Sequence, residues 1–174
     1  GIPNGHKVVC RITKWAENRR NPEGKIIEVL GNPADPETDM LAIIRKHGLR
    51  EEFGKGVLRE AKMVPQEIPE KEIRRRKDLR HLNIVTIDGP DAKDLDDAIS
   101  IEKTDKGYKL GVHIADVSFY VEEDKAIDRE AQDRGTSVYA TDVVVPMLPK
   151  QLSNDVCSLL FDQPRYTISC FMNI

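Results

Sequence analysis

An aspartate-rich segment between two strand-like runs constrains this chain more than any other feature of its sequence. It places five aspartates within ten residues, at Asp88, Asp91, Asp94, Asp96 and Asp97. Two unit charges about 4 Å apart repel by roughly 4 kcal/mol at an effective dielectric constant near 20, so carboxylates that converge need a cation among them. Oxygen ligands without His or Cys favour Mg²⁺, Mn²⁺ or Ca²⁺ over zinc. The segment therefore indicates a site for a hard divalent cation.

The same segment is compatible with a solvated acidic turn, because Asp88-Gly89-Pro90-Asp91 is ordinary loop chemistry. Two features favour carboxylates that are held in place. The strand-like runs on both sides keep the loop short, and Asp94 and Asp96, two residues apart in extended chain, project to one side. Asp97 would face away from them in a regular strand, so we expect a bulge or bend at this point.

Hydrophobic alternation, helix caps and turn residues predict an α+β protein with an antiparallel sheet and packed helices. Two hairpins are expected, one with a basic tip near residue 20 and one that turns at 104–107. The predicted strands are 7–13, 25–30, 84–87, 98–102, 108–114 and 166–174, and the predicted helices are 35–47, 57–64, 123–134 and 152–160.

Composition separates a basic front from an acidic rear. Residues 1–80 carry a net charge of +5 and residues 81–174 a net charge of −8. A basic surface suits a phosphate backbone, and an acidic one suits a metal site. No apolar run approaches the ~18 residues that a membrane span needs, so we expect no membrane partner and a cytoplasmic location.

Two residue types are expected to serve the structure only. The three cysteines, Cys10, Cys157 and Cys170, are odd in number and lack paired metal spacing, so we expect buried thiols in a reducing compartment. His113 lies among apolar residues near the end of a predicted strand. We expect it to be a hydrogen-bonding structural histidine rather than a base.

Three blocks of the sequence resemble the catalytic domain of the ribonuclease II/ribonuclease R family. They are 78–98, with Asp-Leu-Arg-His-Leu at its start and Asp-Leu-Asp-Asp-Ala at its end, then Gly-Val-His-Ile-Ala-Asp-Val at 111–117, and 145–159 with Val-Pro-Met-Leu-Pro. The sequence of these blocks is more similar to the ribonuclease R branch than to ribonuclease II, and the close match covers residues 74–174. Members of the family are processive 3′→5′ exoribonucleases that use divalent metal and release nucleoside 5′-monophosphates.

The resemblance implies hydrolysis of single-stranded RNA by water that Mg²⁺ or Mn²⁺ activates. Two divalent ions about 3.5–4 Å apart balance four carboxylates and orient the attacking and leaving oxygens. Tyr139 resembles the family aromatic that stacks on bases near the RNA 3′ end. Asp96 matches the aspartate most closely tied to the chemistry. The implied metal ligands are Asp88, Asp94, Asp96 and Asp97.

The resemblance also implies a domain layout. Residues 1–34 would be the remnant of a cold-shock-like OB domain, 35–77 a helical connector, and 78–174 the N-terminal part of a truncated catalytic domain. The family's further arginine and base-clamping residues lie beyond residue 174. We therefore expect a fragment with little exonuclease activity of its own.

Basic and aromatic side chains are candidate contacts to single-stranded or structured RNA in two further places. OB surfaces pair stacking aromatics with basic groups, which indicates Trp15, Arg19 and Arg20 in the first hairpin. The run Arg74-Arg75-Arg76 directly precedes the metal loop. The ordinary alternatives are core packing for Trp15, a solvated charge run for the arginines and a half-buried strand position for Tyr139.

Two other functions stay open on the sequence. One is a non-enzymatic RNA-binding module of OB type, in which the acidic loop is only structural. The other is a metal-dependent phosphodiesterase that acts on DNA, because no reader of the 2′-hydroxyl is identifiable.

Overall fold

A computed structural model describes residues 1–17, 20–140 and 143–174. The chain divides into two compact units, one of residues 1–51 with 138–145 and one of residues 52–137 with 146–174. Helices and antiparallel strands occur in both units, which confirms the predicted α+β class. Within the described ranges, no helix has the length and apolar character that crossing a bilayer requires. The domain boundaries at residues 34 and 77 stay a prediction.

Twelve helices and strands are described. In chain order they are β1 (Lys7–Lys14), β2 (Glu23–Gly31), α1 (Pro36–Lys46), α2 (Lys55–Ala61), α3 (Glu70–Arg75), β3 (Ile84–Val85), β4 (Asp97–Thr104), β5 (Gly107–Ala115), α4 (Ala126–Arg134), β6 (Val138–Tyr139), β7 (Val144–Val145) and β8 (Thr167–Asn173). A 3₁₀ turn at Val117–Phe119 and a π-helical turn at Leu152–Val156 complete the regular structure.

The first unit consists of the hairpin β1–β2, helix α1 and the short pair β6–β7. Helix α1 begins as predicted, because the Asp35 side chain accepts a hydrogen bond from the Glu37 N–H and Pro36 occupies the first turn. The Arg45 guanidinium joins α1 to β2 through two 2.8 Å hydrogen bonds to the Glu28 carboxylate. The predicted hairpin and first helix are confirmed.

The second unit is built on a four-stranded antiparallel sheet in the order β3–β4–β5–β8. The β4–β5 hairpin closes at the predicted turn, where Thr104 pairs with Gly107. Gly107 has a φ of 144°, a conformation that a side chain would strain. Strand β5 lies between β4 and β8, so its backbone is hydrogen-bonded on both sides.

Helices α2 and α4 pack together around the buried core of this unit. The core residues are Val57, Ala61, Val64, Ala115, Ile127, Leu152, Val156 and Cys157. Glu60 on α2 accepts hydrogen bonds from the N–H groups of Ala126 and Ile127 at 2.8 and 3.4 Å, so it caps α4 across the core.

Several predicted boundaries were wrong for identifiable reasons. Helix α4 begins three residues later than predicted, because Asp124 has a φ of 61°, which no α-helix accommodates. Helix α2 ends at Ala61 rather than at residue 64, because Pro65 disfavours the helical conformation of the residue before it. Helix α3 lies in the predicted connector. The predicted helix over 152–160 is a π-helical turn that ends at Val156.

The inward face of the sheet carries His113, as expected for a structural histidine. Its side chain is 1% exposed, and its Nε2 and Nδ1 atoms lie 3.0 Å from Ser100 Oγ and 2.8 Å from Ser169 Oγ. Burial lowers the pKa of the His113 imidazole. A side chain at Gly111 would collide with the Ser100 hydroxyl and the His113 ring.

The expectation that all three thiols are buried was wrong for two of them. Cys157 is buried in the core of the second unit, but Cys10 and Cys170 are exposed. Cys10 lies on the two-stranded hairpin, which is too thin to bury both of its faces, and Cys170 lies on the edge strand β8. All three are free thiols.

Candidate metal centre

The aspartate-rich loop runs from the end of β3 into the start of β4. Asp88 is exposed beyond β3, and the Ala92 N–H donates a 3.1 Å hydrogen bond to the Gly89 carbonyl in a turn. Asp94 is partly buried, Asp96 is the last residue before β4, and Asp97 is its first residue.

The later part of the loop is fixed to the sheet by backbone pairing. Asp97 pairs with Ile114 across the β4–β5 ladder. The Asp96 carbonyl accepts a 2.9 Å hydrogen bond from the Ala115 N–H, which extends that ladder by one step. The register from Asp97 to Thr104 is continuous, so the bulge considered in the sequence analysis is absent from β4.

The four aspartates form one electrostatic group centred on Asp96. Partial removal of its carboxyl from water raises the Asp96 pKa, and the negative charges of Asp94, Asp97 and Asp88 raise it further, in that order. These are the four carboxylates that the sequence analysis grouped. Asp91, the fifth aspartate of the loop, is not among the charges that raise the Asp96 pKa.

The chemistry of these donors fits a hard divalent cation, because all of them are carboxylate oxygens. Their positions are less converged than in a formed metal site. In the part of the chain that the structure describes, no three His, Cys, Asp or Glu side chains are arranged as a metal-binding cluster. The fit therefore rests on donor type and electrostatic coupling, and binding of an ion requires the side chains to close around it.

The three arginines ahead of the loop differ in their surroundings. Arg74 pairs with Glu70 on the exposed side of α3, and Arg75 pairs with Glu72. Arg76 instead donates a 2.8 Å hydrogen bond to Asp116 Oδ2, and its guanidinium lies 4.3 Å from the centre of the Tyr166 ring. The Asp116 side chain is 8% exposed. Arg74 and Arg75 are therefore exposed and paired within α3, whereas the Arg76 guanidinium is engaged with a buried carboxylate, and RNA contact stays a prediction for all three.

The other candidate RNA contacts lie in the first unit. Trp15 lies just beyond the end of β1 and is 75% exposed, so its interpretation as a core residue was wrong. Tyr139 is 62% exposed on β6. Arg20 is exposed, and its backbone forms an isolated antiparallel β-bridge with Glu17. Arg19 lies outside the described residues.

Two groups with a bearing on the site went unrecognised in the sequence. Ser158 contacts the loop from a point more than sixty residues further along the chain. The Asp116 carboxylate accepts a hydrogen bond from Arg76, forty residues earlier in the chain, and a 2.7 Å hydrogen bond from the Ser118 hydroxyl. The block 145–159, which contains Ser158, was recognised only as part of the family resemblance, because no local pattern shows what a distant hydroxyl contacts.

Comparison with known proteins gives consistent matches along the chain. A cold shock domain family matches residues 1–54, and an RNB domain family matches residues 76–174. Ribonuclease R of Thermotoga maritima is 51% identical over 177 residues, which cover 100% of this chain and 25% of that protein. The chain thus spans about a quarter of the length of this curated relative.

Solved structures agree with the sequence matches. Mycoplasma genitalium RNase R in complex with double-stranded RNA superposes with a TM-score of 0.88 at 35% identity, over 98% of this chain and 31% of that one. The same enzyme in complex with ribose-methylated single-stranded RNA gives a TM-score of 0.87, over 98% of this chain and 27% of that one. Since the RNB domain match alone takes in more than half of its residues, the chain belongs to the RNB domain family.

Proposed function

We propose that this chain supplies the first part of the catalytic centre of a 3′→5′ exoribonuclease, which hydrolyses RNA to nucleoside 5′-monophosphates. The observation that carries the proposal is the coupling of the Asp94, Asp97 and Asp88 charges to the Asp96 carboxyl within one anchored loop. Negative charges that make ionisation of the Asp96 carboxyl more costly are unfavourable in a folded chain unless they serve a cation. The similarity to ribonuclease R of Thermotoga maritima supports the reaction type.

In this proposal the four aspartates hold Mg²⁺ or Mn²⁺, with Asp96 as the catalytic residue. When bound, divalent metal supplies an activated water and neutralises charge on the scissile phosphate. The carboxylate oxygens of Asp96 orient the attacking water and accept its proton. Strand β4 holds Asp97 and the Asp96 backbone rigidly, which limits the movement needed to close the site to the side chains.

We propose RNA as the ligand, single-stranded or structured, because the similar Mycoplasma genitalium enzyme was solved with both single-stranded and double-stranded RNA. The exposed ring of Tyr139 supports a role in stacking on bases. Exposure likewise supports Arg20, Arg74 and Arg75 as phosphate contacts, and Arg19 is retained on the sequence alone. Arg76 is the weakest of the proposed contacts, because its guanidinium is engaged with Asp116.

The proposal includes a cytoplasmic location. The free thiols of Cys10, Cys157 and Cys170 support a reducing compartment, since exposed cysteines of secreted proteins are commonly paired.

The test is digestion of labelled single-stranded RNA and DNA oligomers by a protein of the curated relatives' length that contains this chain. We expect RNA cleavage with Mg²⁺ or Mn²⁺ and none with EDTA. Asp96→Asn is nearly isosteric but uncharged, so turnover should fall by orders of magnitude while the RNA dissociation constant at fixed salt stays within a few-fold. Asp91→Asn, in the same loop, is the matched control and should retain turnover.

Three outcomes would contradict the proposal in different ways. Equal turnover of the Asp96→Asn and Asp91→Asn variants would remove the role given to Asp96. RNA binding without metal-dependent cleavage would favour the non-enzymatic binding module. Cleavage of DNA as fast as RNA would favour a general phosphodiesterase.

A further inference from the structure

The backbone on both sides of Asp94 is held by a single buried serine. The Ser158 side chain is 0% exposed. Its hydroxyl donates a 2.8 Å hydrogen bond to the Lys93 carbonyl and accepts a 3.0 Å hydrogen bond from the Leu95 N–H. The Leu159 N–H adds a 2.9 Å hydrogen bond to the Leu95 carbonyl. Asp94 thus lies between two peptide groups that one hydroxyl ties together.

Ser158 is itself held firmly by the turn that precedes it. Its N–H donates a 2.8 Å hydrogen bond to the Asp155 carbonyl. The Arg165 Nε atom donates to the carbonyls of Asp155 and Ser158 at 3.1 and 3.0 Å, and the Arg165 side chain is 10% exposed. Cys157, directly before Ser158, is buried in the core. The hydroxyl therefore occupies a position that the core defines independently of the loop.

We infer that Ser158 is a positioning residue for the metal centre, an inference that rests on the proposed function. A hydroxyl is the smallest side-chain group that donates to a carbonyl and accepts from an N–H at the same time. Its two bonds fix the peptide planes before and after Asp94, and with them the direction in which the Asp94 carboxylate leaves the backbone. The loop has no regular structure between Asp91 and Asp96, so no ladder does this for Asp94 as β4 does for Asp97.

Loss of the hydroxyl has a defined consequence. In Ser158→Ala the Lys93 carbonyl and the Leu95 N–H lose their partner at a part-buried position, and each must turn toward water to be satisfied. That turn redirects the Asp94 carboxylate away from Asp96. Groups that orient metal ligands from behind typically contribute about 10–100-fold to metal affinity. We expect an effect of that size on binding of the metal and a small one on folding of the core.

The experiment is calorimetric titration of the chain with Mn²⁺, with a thermal melt of each variant. Ser158→Ala should raise the Mn²⁺ dissociation constant by about 10–100-fold. Ser100→Ala is the matched control, because Ser100 is also a buried serine of this unit, and its hydroxyl contacts His113 rather than the loop. Ser100→Ala should lower the melting temperature but change the Mn²⁺ dissociation constant by no more than about two-fold. That change is smaller than the roughly 10-fold minimum expected of Ser158→Ala. Ser158→Cys keeps the packing with a weaker hydrogen-bonding group, and it carries the test if Ser158→Ala does not fold.

The outcomes separate the two proposals. If the unaltered chain shows no Mn²⁺ binding, the proposed metal centre is overturned and the role of Ser158 with it. If the unaltered chain binds Mn²⁺ and both Ser158 variants bind it equally well, Ser158 is only a structural residue. If Ser100→Ala weakens binding as much as Ser158→Ala, the effect is one of general stability, and the positioning role is again wrong.

Discussion

The Arg76→Ala variant tests whether this arginine serves the fold rather than a nucleic-acid ligand. Arg76 donates to Asp116, whose side chain is 8% exposed, and its guanidinium lies 4.3 Å from the Tyr166 ring centre and 5.3 Å from that of Phe119. Removal of one partner of a buried ion pair costs about 3–5 kcal/mol, and a cation–π contact adds about 0.5–1 kcal/mol. Because the Arg76 side chain is 27% exposed, we take the lower end, about 3 kcal/mol in total.

The assay is urea unfolding at neutral pH, with a thermal melt as a second measurement. For a chain of this size, about 3 kcal/mol corresponds to a melting temperature lower by roughly 6–12 °C. Arg74→Ala is the matched control, because Arg74 and Glu70 are 80% and 82% exposed, and its loss should leave the unfolding free energy unchanged within error.

The pH dependence of the same variant follows from Asp116. Burial opposes ionisation of its carboxyl, but hydrogen bonds from Ser118 and Arg76 outweigh burial and lower the Asp116 pKa. A lowered carboxyl pKa stabilises the fold above the ordinary pKa of the group, and this contribution is lost as the pH falls through the lowered value. The difference in unfolding free energy between wild type and Arg76→Ala should therefore be full above the ordinary carboxyl pKa and narrow as the pH falls below it. Equal stability of Arg76→Ala and Arg74→Ala at neutral pH would show that the contacts of Arg76 with Asp116 and Tyr166 do not stabilise the fold.

Three further predictions concern other parts of the chain. Asp96→Asn should raise the melting temperature in metal-free buffer at pH 7, because a raised carboxyl pKa means that the ionised form of Asp96 destabilises the fold. The gain in melting temperature should vanish below the ordinary carboxyl pKa. A gain that persists there would mean that the charge of Asp96 is not its cause. Ile127→Ala, at a side chain 1% exposed, should reduce the unfolding free energy by about 2–5 kcal/mol in urea, and a loss below about 1 kcal/mol would mean that the core lies elsewhere. Tyr139→Ala, in a protein of the relatives' length, should change the length of the final RNA product on a sequencing gel; an unchanged length would make Tyr139 an ordinary strand residue.

Local patterns predicted the elements that local chemistry creates. The Asp35 cap and Pro36 fix the start of α1, and Gly107 fixes the second hairpin turn, because in both cases neighbouring residues alone satisfy the backbone. The aspartate-rich loop was recognisable for the same reason, since five aspartates lie within ten residues, but the choice of four of them as metal ligands came from the family resemblance. Helix α3 also had its local signal, with Pro69 before Glu70 and Arg74 in the last turn, but the density of charge led to its interpretation as a connector.

Contacts between distant residues were not predictable in this way. Arg76 belongs to a basic run, and only the position of Asp116 forty residues later distinguishes it from Arg74. Ser158 has no neighbour in sequence that suggests a partner, and its hydroxyl meets Lys93 and Leu95 through the tertiary fold. The exposure of Trp15 likewise depends on what covers the hairpin, a property that no residue of the hairpin encodes.

The buried imidazole of His113 has a consequence for the alignment of the strands in its sheet. It joins three adjacent strands, because its two nitrogens meet Ser100 on β4 and Ser169 on β8. A slip of β5 by one residue would turn His113 to the outward face and leave both serine hydroxyls without their partner. The imidazole therefore acts as a register pin, and alternative alignments of the same strands are penalised during folding. The pin also keeps Thr104 opposite Gly107, so the β4–β5 hairpin turns at the glycine that can adopt a φ of 144°.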